Sequence, residues 1–79
     1  MLDSETAKEL IRPHMQVVAS DGAELPAVDH IEGRNSIALA KDDSGVHHYI
    51  PLSWVQSVDD RVHLDHTRRE VEQEWSTKP

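Results

Sequence analysis

Residues 45–55 read GVHHYIPLSWV, and the fold turns on how that run is divided. Alternation from Val46 to Ile50 predicts a β-strand with His48 and Ile50 on one face and His47 and Tyr49 on the other. Pro51 has no N–H to give to a ladder and ends it. Leu52-Ser53-Trp54-Val55 then reads as a single turn of helix. Leu52 and Val55 plug the end of a small β-domain, and Val58 carries the apolar set into the last strand.

Working outward, the three glycines mark turns at Ser20-Asp21-Gly22-Ala23, Glu32-Gly33-Arg34-Asn35 and Asp42-Asp43-Ser44-Gly45. Short segments of strand character lie between them: 15–19, about 25–31, 36–40, 46–50 and 61–64. Met15, Val17 and Ala19 share a face in the first, Ile37 and Leu39 point inward in the third, and Val62 and Leu64 do so in the last. Proline at 26 confines the start of the second strand to an edge or a bulge. Five short strands with closely spaced turns predict a mainly β chain, folded as a small antiparallel barrel or sandwich of about five strands. Closure is favoured because a flat sheet leaves long edges open to pairing.

Helices flank the strands. Ser4 or Thr6 is placed to cap a short N-terminal helix through Leu10 or Ile11, which Arg12-Pro13 stops. Thr67-Arg68-Arg69-Glu70 fits the S/T-x-x-E capping box. Val71 and Trp75 fall one turn apart beyond it, and Arg68 and Glu72 are spaced for an exposed ion pair. So narrow an apolar stripe holds no helix alone; it must dock. The expected organisation is one domain over 1–79: a helical arm over 1–13, the barrel over 14–65 and a helix over 66–76.

Composition sets limits on function. The 79 residues are 37% hydrophobic with no phenylalanine, so the core must be built mainly from Val, Leu, Ile and Met. A chain of this size buries only about 60% of its unfolded surface and must spend those residues economically. With no cysteine, disulfides, zinc–thiolate sites and thiol catalysis are excluded. The formal charge of −7 repels phosphate backbones and anionic lipid, so neither nucleic acid nor a membrane is the expected partner. Protonating all six histidines would cancel all but one of those charges, which places the poorest solubility near pH 5. The N-terminus lacks a signal-peptide pattern, and a cytoplasmic protein is expected.

The runs MQVVASDGAELPAVDHIEG (15–33), IALAKDD (37–43), HHYIPLSWVQSVDD (47–60) and VHLD (62–65) resemble an uncharacterised family of small bacterial proteins. That family is itself similar to PRC-barrel domains. The resemblance spans roughly residues 12–76, and its most specific part is HHYIPLSWV-x-x-VDD-x-VHL. It implies an SH3-like barrel of about five antiparallel strands. It also implies a role in docking on other proteins, as PRC-barrel relatives do in the reaction-centre H subunit and in a ribosome-maturation factor. The chain departs from the PRC pattern at Leu25-Pro26-Ala27-Val28, where a glycine is usual. No catalytic residue is carried over from the resemblance.

No candidate chemistry gathers strength. His47 and His48 diverge on an undistorted strand and do not chelate one ion. His30 with Asp29 and Glu32, and His63 with Asp65 and His66, match no ligand signature, so no metal site is assigned. Ser53 lacks the G-x-S-x-G elbow, and isolated glycines make no phosphate loop, so no catalytic or cofactor residues are assigned. In the plainer reading of the aromatics, one histidine faces inward onto a backbone carbonyl, Trp54 caps the core and Trp75 staples the terminal helix. Against it stands enrichment of tryptophan in interfaces, which makes His47, Tyr49, Trp54, Val71 and Trp75 the candidates for a docking surface. The expected function is a non-enzymatic protein-interaction module that binds a protein partner or forms a homodimer. The alternative is a histidine-based sensor of metal or pH.

Overall fold

In the computed structural model, which describes residues 3–78, the order is α1 (Ser4–Leu10), β1 (Gln16–Val18), β2 (Glu24–Leu25), β3 (Val28–Glu32), β4 (Ser36–Leu39) and β5 (Tyr49–Pro51). A 3-10 turn (Leu52–Trp54), β6 (Val55–Val58), β7 (Arg61–Leu64) and α2 (Arg68–Glu74) follow. Met1 and Leu2 of the expected arm, and Pro79 of the expected domain, lie outside the described residues. The chain is mainly β, with a short helix near each end. Among the described residues seven strands form two sheets, in the orders β2-β1-β7-β6 and β3-β4-β5.

Three expectations are corrected by this arrangement. Pro26 splits the expected second strand: Leu25 pairs with Val17 in the first sheet, while Val28 pairs with Leu39 in the second. The proline is therefore a crossing between sheets, where a missing N–H costs no ladder bond. A separate strand, β6, forms where Val58 was read as part of the last strand, and it pairs antiparallel with β7. Third, the pairing is not wholly antiparallel, because β1 lies parallel to β7, with Val17 opposite Val62. Tight turns enforce antiparallel neighbours, but these two strands are joined by the whole second sheet, so the turn rule does not bind them. The two sheets do not join into one closed barrel among the described residues.

Their inward side chains share one core. Val17, Leu25, Val55, Val62 and Leu64 come from the first sheet, and Val28, Ile37, Leu39 and Ile50 from the second, all buried. Leu52 is buried in the same core, but Val55, expected beside it in one helical turn, instead opens β6 opposite Leu64; Val71 of α2 joins from outside the sheets. Helix α1 lies against β6 and the 3-10 turn, burying Ala7. Its cap is Asp3 in place of Ser4 or Thr6: the Asp3 carboxylate accepts the Thr6 N–H at 2.8 Å, which holds that carboxyl below its usual range.

Backbone irregularities set what the surface shows. A register shift between Val28 and His30 leaves Asp29 and His30 both exposed, and one between Val55 and Ser57 does the same for Gln56 and Ser57. After α1 the chain turns through Arg12-Pro13-His14-Met15, closed by the Met15 N–H on the Arg12 carbonyl at 3.3 Å. Proline at the second position and φ of 70° at the third, His14, are the marks of a type II turn. The His14 N–H bonds the Val28 carbonyl at 2.7 Å and pins the turn to β3.

Candidate functional site

The loop between β4 and β5 is organised by one carboxylate. Asp42 accepts the N–H groups of Ser44 at 2.8 Å and Val46 at 3.1 Å, while Gly45 supplies the φ of 81° that the turn needs. Those N–H groups, Val46 first, hold the Asp42 carboxyl below its usual range. The same side chain lies beside His48, whose Nδ1 is 3.6 Å from Asp42 Oδ2.

The two histidines do not divide as alternation predicts. His47 turns back on β4, its Nδ1–H donating to the Leu39 carbonyl at 2.7 Å. The carbonyl-bonded histidine is thus His47 and not the inward one, because regular pairing begins only at Tyr49 and residues 46–48 are free of strict alternation. His48 is 13% exposed, and its ring stacks on the Trp75 indole with centroids 3.8 Å apart and planes 15° from parallel. Its Nδ1 is buried without a hydrogen-bond partner.

Trp75 arrives there on α2. The Thr67 hydroxyl accepts the Glu70 N–H at 3.2 Å and the Glu70 carboxylate accepts the Thr67 N–H at 2.8 Å, completing the capping box read from the sequence. The Ser20 N–H on the His66 carbonyl, at 2.8 Å, ties the start of α2 to the β1–β2 turn. At the far end Ser76 pairs with Tyr49 on the outer edge of β5. The Tyr49 N–H donates to the Ser76 carbonyl at 2.7 Å, and the Ser76 N–H to the Tyr49 carbonyl at 3.1 Å. The C-terminal segment is therefore a strap from the first sheet to the edge of the second.

Most histidines face carboxylates. His30 is held by Glu32 Oε2 and Asp29 Oδ2, each at 2.6 Å from one ring nitrogen, and both contacts raise its pKa above 6.5. The register shift makes this possible by turning Asp29 to the same side as His30, while Glu32 is there by strand period. His63 meets Asp59 at 3.0 Å, and His66 meets its neighbour Asp65. The rings of Trp54 and His66 stack with centroids 4.2 Å apart. Among the described residues no three His, Cys, Asp or Glu side chains are grouped to hold a metal ion, and no pocket is found.

Of the residues singled out in the sequence, Tyr49, Trp75 and Val71 are brought into one strap-and-edge unit, with His47 on the adjoining loop. Trp54 belongs to a different stack. Val71 is fully buried, so its surface goes to the chain's own core. Both tryptophans are half-buried and packed against that core. His48, Asp42 and Ser76 complete the unit without having been selected. No helix among the described residues is long and apolar enough to cross a membrane.

Residues 11–72 match an uncharacterised protein family conserved in bacteria (DUF2171). The matched span covers well over half of the chain, so the chain belongs to this family, as the sequence resemblance to uncharacterised bacterial proteins led us to expect. No curated protein matches the sequence.

Proposed function

We propose that this member of the bacterial DUF2171 family is a non-enzymatic assembly module, PRC-barrel-like and SH3-like in architecture, that joins protein to protein at the edge of β5. The observation that carries the reading is the Tyr49–Ser76 pairing: an edge strand of this fold receives an extended segment through both of its main-chain groups. The occupant we assign is the same tail from a second copy, giving a homodimer by exchange of C-terminal segments. Exchange repeats a contact that the chain makes with itself, so it needs no new apolar face. That suits a surface whose exposed large hydrophobics, among the described residues, are Leu10 and Val46. The PRC-barrel likeness is taken from the similarity of that bacterial family to PRC barrels, and short strands in two sheets on one core are compatible with it. The charge of −7 supports a protein-directed role and not one on nucleic acid or a lipid surface.

The test is mass by light scattering over a wide concentration range for the native chain and Trp75→Ala. The native chain is expected to shift toward dimer as concentration rises, and the variant, having lost the anchor of its tail, to stay monomeric with its sheets intact. Monomer at every concentration in both forms overturns the reading.

A second reading, a pH-responsive module, is favoured by the His30 arrangement, in which both ring nitrogens face carboxylates and only the doubly protonated ring donates to both. Oligomer size that changes between pH 7.5 and 5.8 supports it; an unchanged size removes it.

A further inference from the structure

We propose that His48 is a proton-operated clasp for the C-terminal tail: a proton on its ring tightens the grip on Trp75 and so closes the Tyr49–Ser76 pairing at the edge of β5. This inference rests on the assembly reading for its consequence, though the docking that it describes lies within one chain.

The neutral ring is poorly served where it sits. Its Nδ1 is buried with no hydrogen-bond partner, and an unmet buried polar atom weakens whatever holds it buried. A neutral ring with its hydrogen on Nδ1 offers Asp42 only an uncharged donor; protonation makes both ring nitrogens donors and adds the positive charge that turns this contact into an ion pair. The Nδ1–H then points to Asp42 Oδ2, which needs to close by only a few tenths of an ångström from 3.6 Å to bond it. The positive charge also comes to lie over the face of the Trp75 indole, 3.8 Å away, turning a stack into a cation–π contact. Asp42 is suited to receive it, since its own carboxyl is kept ionised by the N–H groups of Val46 and Ser44.

The groups facing His48 are few. Asp42 comes from the β4–β5 loop and Trp75 from the end of α2; Tyr49, next in sequence, carries the bridge to Ser76. Among the described residues Asp42 is the one carboxylate within 4.0 Å of its ring nitrogens. His47 is engaged with the Leu39 carbonyl and does not compete for Asp42. Mild acid therefore tightens the tail on whichever copy it is docked and slows exchange between copies.

The test is amide hydrogen exchange by NMR on dilute, monomeric protein at pH 7.5 and 5.5, read as protection factors for Tyr49 and Ser76 against Val62 in the central strand β7. We expect the ratio to rise about threefold at pH 5.5, the size of a modest cation–π contact. The rise should vanish in His48→Gln and shrink in Asp42→Asn. An unchanged ratio in the native chain, or the same rise in His48→Gln, overturns the clasp. If Val62 loses protection in His48→Gln, that variant is unfolding, and the native chain with Asp42→Asn decides. Failure of the clasp with concentration-dependent dimers intact leaves the assembly reading standing. A working clasp on a chain that never dimerises sinks the assembly reading alone.

Discussion

Truncating Val71 to alanine tests whether α2 is part of the folded unit or an appendage. The helix has only seven residues, far below the length at which a helix persists alone in water, so packing must hold it. Val71 is fully buried, within the core that both sheets share. Val71→Ala removes two methyl-sized groups at about 0.8 kcal/mol each, and a void that the sheets cannot fully close raises the loss to about 2–3 kcal/mol. Chemical unfolding in urea, followed by circular dichroism, reads this directly. With a slope of about 1 kcal/mol/M, as for a small domain, the midpoint should fall by about 2 M with the slope unchanged. Glu72→Ala is the control. It breaks only the Arg68–Glu72 pair, 3.3 Å apart and about half exposed at both ends, and should change stability by less than about 0.5 kcal/mol. A midpoint shift under about 0.5 M for Val71→Ala refutes the reasoning, because α2 would then be opening separately from the core.

Thr67→Ala removes the hydroxyl half of the capping box and should cost about 1 kcal/mol in the same assay; no loss would mean that Glu70 alone carries the cap. His14→Gly should raise the midpoint, since φ of 70° is natural for glycine and strained for histidine, with a net gain of about 0.5 kcal/mol after the flexibility that glycine adds to the unfolded chain. A fall would show that the His14 side chain gives more than its backbone costs. His30, raised by Glu32 and then Asp29, binds its proton more tightly folded than unfolded. Its contribution to stability is therefore full below pH 6.5 and lost as pH rises through the raised folded value. An NMR titration of the ring should give a midpoint above 6.5 that drops in Glu32→Gln, and a native midpoint at or below 6.5 rejects the arrangement.

What the sequence revealed follows the range of the forces involved. β7 at Arg61–Leu64 and the capping box of α2 are written in neighbouring residues and are read where they form, while the 3-10 turn at Leu52–Trp54 is read one residue too long, since Val55 already belongs to β6. β4 is nearly so, except that Ala38 is buried along with Ile37 and Leu39, because its strand lies in the middle of its sheet. Pro26 signals a break but not its purpose, since nothing local says that Leu25 and Val28 will belong to different sheets. β6 was hidden by its register shift, which sets Gln56 and Ser57 side by side on the surface and spoils the alternation. At the candidate site, Tyr49 and Trp75 stand out by residue type, whereas His48 acts through a partner far along the chain. No spacing rule reports such a contact.

The parallel pairing of β1 with β7 bears on how the molecule comes into being. The second sheet is made of hairpin neighbours, so β3, β4 and β5 can find one another as soon as each is synthesised. β1 has no such opportunity: apart from two residues of β2, its partner is the last strand to leave the ribosome. Val17 must remain unsheltered until Val62 arrives, so the order of assembly is the reverse of the order of synthesis for half of the core. A fragment that stops short of residue 61 lacks the strand that joins β1 to β6, and completion of the first sheet is accordingly a late event for the newborn chain.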